Sequence, residues 1–136
     1  MLSSIFEKDL FVVVGAFKEE VISVVGDLAH PIVNDNWSKG LGSSISVGVK
    51  KISNDQKYDS LLIVLADQVA LKKCDYELLI SCFDGKKVVA TKYEDSLGVP
   101  AVFSVKYFER LERLSGEIGA KSILNQVNIS VKGVEL

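Results

Sequence analysis

The residue best suited to chemistry is Asp67, a carboxylate that closely follows the apolar run 61–65. A short run that is apolar throughout predicts a strand buried on both faces, as in a parallel sheet covered by helices. Open α/β sheets bind their ligands beyond the carboxyl ends of the strands. At that edge Asp67 could hold Mg²⁺ through one or two oxygens while substrate phosphates supply others. Alternatively, Asp67 caps the following segment by accepting backbone N–H bonds, and the residue alone does not decide between the two.

A second candidate is a glycine–serine segment, Gly40, Gly42, Ser43 and Ser44, at the predicted start of a helix. The N-terminus of a helix presents N–H groups and a positive dipole end that suit phosphate oxygens. Glycine lets a ligand approach the backbone closely. In the alternative interpretation the segment is only a flexible loop, and Ser43 or Ser44 caps the helix that follows. Both interpretations stay open at this point.

Alternating strands and helices must position these residues. Strands that alternate with helical segments of roughly ten residues predict a mainly parallel sheet with helices on both faces. The first of these helices carries Val21, Val24, Val25 and Leu28 at helical spacing, which predicts an apolar face. The predicted strands cover residues 10–14, 31–33, 61–65, 87–91, 99–103 and, in the tail, 127–136.

Composition limits the classes of function. With 136 residues, 48% of them hydrophobic, the chain can bury a core, and one domain over 1–136 is expected. The formal net charge is -2 without a basic stripe, so nucleic acid is not an expected partner. One histidine and two cysteines without a CxxC pattern exclude a His/Cys metal cluster. The apolar runs are far shorter than the ~20 residues of a membrane helix, and no secretory signal is recognisable. A cytoplasmic protein without a membrane partner is therefore expected.

Four segments, in order, resemble the MobA-like NTP transferase family, in particular its molybdenum cofactor cytidylyltransferase branch. Residues 34–48 resemble the family's NxxWxxGxxSSxxxG pattern, and residues 65–68 are similar to its LADQ signature. Residues 98–103 resemble its GxPxxF segment, and residues 115–120 resemble its SGDxGA segment. The resemblance covers most of the chain, so chance is a poor explanation for it.

The resemblance implies a Rossmann-like three-layer sandwich of the nucleotide-diphospho-sugar transferase type with a mainly parallel, mixed sheet. It also implies transfer of a nucleoside monophosphate, CMP from CTP in this branch, to a molybdopterin-type cofactor with release of pyrophosphate. Asp67 would be the catalytic residue and the Mg²⁺ ligand. The other implied site residues are Gly40, Gly42, Ser43 and Ser44 for the nucleotide, and Gln68, Gly98, Pro100, Gly116, Glu117 and Gly119 on the acceptor side.

Parts of the family's pattern are missing from the sequence. There is no segment of the form LAAGxSxRxGxxK, with which the family cradles the triphosphate, and no DIDTPED-like acidic segment. The first central strand is missing as well, and Val69 stands where the family usually has proline. The domain is thus expected to be truncated at both ends, and the isolated chain to be a weak or inactive catalyst. The alternative is a non-catalytic binding or interaction module derived from the same fold.

The missing strand leads to a prediction about the sheet. Either 10–14 pairs directly with 61–65, or a strand from another chain fills the gap between them. Unpaired buried strand edges are costly and promote association. In the second case we expect a homo-oligomer or complementation by a strand of another chain.

Overall fold

The structure, a computed structural model, describes residues 2–55, 57–66, 70–126 and 129–136. Strands and helices alternate over most of the chain, as the sequence predicts. The strands are β1 (Phe11–Val14), β2 (His30–Val33), β3 (Ser60–Ile63), β4 (Val88–Lys92), β5 (Leu97–Ser104) and β6 (Val131–Val134). The helices are α1 (Leu2–Phe6), α2 (Lys18–Val25), α3 (Leu41–Asn54), α4 (Lys73–Ser81), α5 (Phe108–Glu112) and α6 (Lys121–Leu124).

The described strands form two sheets. In the smaller one, β1 and β2 pair in parallel. In the larger one the order is β3-β5-β4-β6, with antiparallel pairing of β5 to β3 and to β4 and parallel pairing of β4 to β6. The α/β class with mixed sheets is therefore confirmed.

Helices cover both faces of the larger sheet. On one face, α3, α5 and α6 contribute to a core that includes Val88 and Ala90 of β4. On the other face, Leu79 of α4 packs with Val89 of β4 and Val102 of β5. Neighbouring residues of β4 thus enter different cores, because successive side chains in a strand point to opposite faces. The result is the expected three-layer arrangement, with helices on both faces of the larger sheet. Within the described residues, no helix combines the length and apolar composition that crossing a membrane requires.

The segment 61–65 does not form the parallel strand, buried on both faces, that the sequence predicts. Its strand, β3, lies at the edge of the larger sheet, is half-buried throughout and pairs antiparallel with β5. Direct pairing of 10–14 with 61–65 is also wrong, since β1 and β3 belong to different sheets. A continuous apolar run favours a strand with both faces covered, but it does not identify the strands that pair with it.

An apolar cleft of about 660 Å³ lies between β1 and β3, and we call it the β1–β3 cleft. Residues of β1, β3, α1 and α3 line it, together with Asp9 and Tyr58. The Tyr58 hydroxyl donates to a carboxylate oxygen of Asp9 at 2.7 Å. This hydrogen bond raises the pKa of the Tyr58 phenol above its ordinary value. The cleft occupies the place where the sequence predicts either direct pairing of 10–14 with 61–65 or a strand from another chain between them.

The apolar face predicted for the first of these helices, which is α2, is only partly covered, with Val21 and Val25 half-buried. None of the residues of α2 is buried, and the side chain of Val24 is 84% exposed. Leu28, which follows α2, is 61% exposed. Helical spacing identifies an apolar face, but the described part of the chain provides little to cover this one.

Candidate functional site

The glycine–serine segment forms the start of α3. Gly40 precedes the helix with a φ of +110°, a conformation that glycine adopts at little cost. A Cβ on Gly40 would lie 2.5 Å from the carbonyl oxygen of Gly116 and 2.6 Å from a carboxylate oxygen of Glu117. The helix begins at Leu41, before the serines, and no side chain caps it. The prediction that Ser43 or Ser44 caps this helix is therefore wrong.

Gly42 joins the start of α3 to the segment 115–118. Its N–H donates to the carbonyl oxygen of Gly116 at 2.8 Å. A Cβ on Gly42 would lie 2.3 Å from the carbonyl oxygen of Ile118 and 2.7 Å from that of Ser115. We call this contact of Gly40 and Gly42 with residues 115–118 the glycine junction. It brings two segments that are far apart in sequence into backbone contact, and it uses one N–H group that the helix start would otherwise expose.

Asn34 orients both serines of α3. Its side chain is buried, with 1% exposed. The amide nitrogen donates to the hydroxyl oxygens of Ser44 at 3.0 Å and Ser43 at 3.3 Å, and the amide oxygen accepts the N–H of Asn36 at 3.0 Å. Because both serine oxygens act as acceptors here, their hydroxyl hydrogens remain to be donated elsewhere. Ser43 donates to the carbonyl oxygen of Asn36 at 3.4 Å.

In the described part of the chain, the Ser44 hydroxyl accepts a hydrogen bond from Asn34 but donates none. Ser44 is half-buried and also lines the β1–β3 cleft. It can therefore donate a hydrogen bond to a ligand oxygen at the start of α3. Although Asn34 belongs to the 34–48 motif, it is absent from the predicted site residues, because its role depends on side-chain contacts across nine and ten residues.

Replacing Asn34 should lower the stability of the chain. We expect Asn34→Ala to reduce the free energy of unfolding by about 2 kcal/mol, because three hydrogen bonds and buried volume are lost. Asn36→Ala is the matched control, since that side chain is exposed and should contribute less than about 0.5 kcal/mol. Urea denaturation followed by circular dichroism measures both. Equal losses in the two variants would contradict the role of the Asn34 amide.

The predicted nucleotide and acceptor residues meet at the glycine junction. Glu117 is exposed and places its carboxylate beside Gly40, close to the positive end of the α3 dipole. A Cβ on Gly119 would lie 2.9 Å from a methyl carbon of Leu41. The structure thus brings together Gly40, Gly42, Ser43, Ser44, Gly116, Glu117 and Gly119.

Gly98 and Pro100 are buried in β5. A Cβ on Gly98 would lie 2.9 Å from the ring of Tyr93, and the Thr91 hydroxyl donates to the Pro100 carbonyl at 2.8 Å. The pairing of β4 with β5 shifts register after Ala90, which leaves Pro100 outside the regular ladder. Proline fits such an irregularity because it has no N–H to donate. These contacts place both residues in the β4–β5 hairpin.

Asp67 and Gln68 lie outside the described residues, so their predicted roles stay predictions. Within the described ranges, no group of three or more His, Cys, Asp or Glu side chains could hold a metal ion.

Comparisons with known proteins agree with the fold. The model of the MobA-like NTP transferase domain matches residues 1–131. No curated protein matches the sequence significantly. Among solved structures, Rv0371c of Mycobacterium tuberculosis H37Rv in complex with manganese superposes with a TM-score of 0.77 at 19% identity, covering 93% of this chain and 66% of that chain. Its homologue from Mycobacterium sp. strain JC1 gives a TM-score of 0.75 at 21% identity, covering 93% and 64%.

These identities are low, so the structural likeness establishes the fold alone. The chain spans slightly less than two thirds of the length of each of these solved proteins.

Proposed function

Because the chain belongs to the MobA-like NTP transferase family, we propose that it carries a nucleotidyltransferase site. The proposed reaction transfers CMP from CTP to a molybdopterin-type cofactor and releases pyrophosphate. The observation that supports it best is the glycine junction, which joins two of the family's motif segments at the N-terminus of α3. A single domain over residues 1–136 is part of this proposal.

The nucleotide is proposed to bind at the start of α3, against Gly40, Gly42, Ser43 and Ser44. The helix dipole favours an anionic ligand there. Gly42 does not offer its N–H, since that group already donates to Gly116. Ser44 is the better donor because the Asn34 amide fixes its oxygen as an acceptor and leaves its hydrogen for ribose or phosphate oxygens.

Asp67 is proposed as the catalytic residue and the ligand of Mg²⁺. Carboxylate and hydroxyl oxygens are the ligands that Mg²⁺ prefers, and the exposed Glu117 carboxylate and the Ser44 hydroxyl at the start of α3 fit that preference. The bound ion would supply charge neutralisation at the α-phosphate. The chain's own contribution is positioning, which phosphoryl transfer requires more than covalent chemistry.

The acceptor is proposed to contact the other side of the junction. Gly116, Glu117 and Gly119 would border it, since they lie directly against the start of α3. Gln68 would contribute beside Asp67. Gly98 and Pro100 would shape this side through the β4–β5 hairpin.

The isolated chain is proposed to be a weak or inactive catalyst. It contains no LAAGxSxRxGxxK segment, so it lacks several charge-assisted hydrogen bonds to the triphosphate worth roughly 1.5–3 kcal/mol each. Two or three such losses would reduce affinity by ~10³-fold or more. Pyrophosphate release from CTP that is detectable in the purified chain and abolished in Asp67→Ala would contradict this.

The alternative function is a non-catalytic binding or interaction module. The observation that favours it is the β1–β3 cleft, a largely apolar cavity of about 660 Å³ that borders the start of α3 at Ser44. A module of this type would bind no nucleotide at the start of α3, which distinguishes the two functions.

Trp37 provides a direct test of nucleotide binding. It is the only tryptophan, is 50% exposed and lies three residues before Gly40. With Mg²⁺ present, we expect CTP to change its fluorescence in a saturable way, at lower concentrations than GTP, ATP or UTP. The change should disappear when EDTA removes the metal. An identical, unsaturable response to all four nucleotides would contradict the proposed site.

A further inference from the structure

A second cavity, of about 350 Å³, lies at the amino end of β3. Residues just before β3 and β4 and around the end of β5 line it, and we call it the lysine cavity. The members used below are Asp59, Phe83, Lys86, Ser104 and Lys106. In the sequence, Asp67 follows the opposite, carboxyl end of β3. The lysine cavity is therefore separate from the site proposed for nucleotidyl transfer.

Ser104 directs an unused hydroxyl group into this cavity. The residue is 4% exposed and occupies the last position of β5. It precedes the short 3-10 helix Val105–Tyr107, where a serine often caps the following N–H groups, but its side chain makes no cap. Within the described residues no other hydrogen bond occupies this hydroxyl, and no fully buried side-chain oxygen lacks a partner. The Ser104 hydroxyl is thus open to the cavity as a donor.

Two ammonium groups border the same cavity. Lys86 and Lys106 are both exposed, and neither belongs to an ion pair in the described part of the chain. The Asp84 carboxylate fixes the turn that carries Lys86, because it accepts the N–H groups of Lys86 and Lys87 at 2.8 and 2.9 Å. The Lys106 ammonium lies 5.8 Å from the centre of the Tyr107 ring. A ring contact of this kind leaves the ammonium N–H donors available to a ligand.

One carboxylate and one aromatic ring complete the lining. The N–H of Val105 donates to the carbonyl oxygen of Asp59 at 2.7 Å, which holds Asp59 beside the end of β5. Its carboxylate accepts the Ser60 hydroxyl at 3.2 Å and forms no ion pair within the described ranges. Phe83 packs against the core between α4 and the larger sheet. The cavity thus combines three donors with one acceptor and an apolar wall.

A phosphomonoester group matches these donors. It carries close to two negative charges and three terminal oxygens, and the cavity offers two ammonium groups and one hydroxyl. Lysine binds phosphate as a point charge, whereas arginine supplies the fork that suits a planar carboxylate. The Asp59 carboxylate repels the phosphate but can accept a hydroxyl group on the rest of the ligand. A volume of about 350 Å³ is at the low end for ligand pockets, which favours a small molecule.

We propose that the lysine cavity binds a small hydroxylated phosphomonoester. Lys86 and Lys106 pair with the phosphate oxygens, and Ser104 donates a hydrogen bond to one of them. Asp59 accepts a hydroxyl group of the ligand, whose carbon atoms contact Phe83. The proposal concerns binding alone and does not depend on nucleotidyl transfer.

Calorimetric titration of the full chain with glycerol 3-phosphate tests the site. We expect saturable binding of one molecule per chain without a divalent metal. It should be about tenfold tighter than the binding of inorganic phosphate, which lacks the hydroxylated part. This preference should disappear in Asp59→Ala, because the acceptor for the hydroxyl is lost. Absence of binding, or equal affinity for inorganic phosphate, would overturn the proposal.

Lys87→Gln is the matched control for the two lysines. Lys87 adjoins Lys86 and is exposed, but it does not line the cavity. Lys86→Gln and Lys106→Gln should each weaken binding of glycerol 3-phosphate about tenfold or more, and Lys87→Gln by less than about twofold. All three side chains are exposed, so the fold should persist, which circular dichroism checks. Equal losses in the three variants would overturn the proposal in favour of an effect of net charge.

Amide chemical shifts locate the ligand independently of the nucleotide. Glycerol 3-phosphate should shift the amide resonances of Lys86, Ser104 and Lys106 and leave those of Gly42 and Ser44 unchanged. Ser104→Ala should weaken binding about fivefold, because one hydrogen bond to the phosphate is lost. Shifts confined to the start of α3 would overturn the proposal and assign the ligand to the nucleotide site.

Discussion

Gly42→Ala should destabilise the chain by about 2 kcal/mol or more, although alanine is the better helix former by about 1 kcal/mol. The added methyl group would lie 2.3 Å from the carbonyl oxygen of Ile118 and 2.7 Å from that of Ser115. Both are backbone atoms, so the segment 115–118 would have to move as a unit. That movement would also break the hydrogen bond from Gly42 to Gly116. Steric overpacking of this kind outweighs the gain in helix propensity.

Gly48→Ala is the matched control for this prediction. It makes the same change in the same helix, with the same gain in propensity, but its methyl group would meet only a side-chain methyl of Val13 at 2.8 Å. Val13 borders the β1–β3 cleft and has room to shift. We expect the free energy of unfolding to change by less than about 1 kcal/mol. Urea denaturation compares the two variants. Equal changes in the free energy of unfolding would mean that the segment 115–118 can shift away from position 42 at little cost in stability.

Asp67→Ala should weaken metal-dependent CTP binding about a hundredfold, which corresponds to about 2.7 kcal/mol. The physical reason is the loss of the carboxylate proposed to share the cation with the phosphates. Binding of Mn²⁺ in the presence of CTP, followed by electron paramagnetic resonance, measures the effect directly.

Asp55→Ala is the control for Asp67. Asp55 is an exposed carboxylate that directly follows the C-terminal end of α3, about 20 Å from the glycine–serine segment. The Asp55→Ala substitution removes the same charge as Asp67→Ala and should leave the binding of Mn²⁺ and CTP unchanged. A similar loss in both variants would mean that net charge, rather than a ligand at position 67, controls binding.

The local elements of the fold were predictable from the sequence. α3 begins at the glycine–serine segment, where the sequence predicts the start of a helix, and its Ile45 and Val49, at helical spacing, are buried. The strands that neighbour β3 were not predictable. An apolar run indicates that the faces of a strand are covered, but it does not identify the strands that pair with its edges. The exposure of Val24 on α2 was missed for a related reason. An apolar helix face requires a partner, and the sequence of the helix does not specify one.

The candidate site was predictable as a set of motifs but not as an arrangement. The resemblance identified Gly42 and Gly116 without indicating that they bond to each other, since that contact depends on the packing of two distant segments. Local rules favoured capping of the helix by Ser43 or Ser44. They failed because Gly40 lets the helix begin earlier and because the buried Asn34 amide engages both hydroxyls.

Calorimetric titration of the chain with CTP in the presence of Mg²⁺ tests the proposed nucleotide site most directly. A saturable heat with one CTP per chain is predicted, and it should vanish when EDTA is added and weaken in Asp67→Ala. Absence of any heat from CTP, GTP, ATP and UTP in a chain that circular dichroism shows to be folded would contradict the site and favour the non-catalytic module.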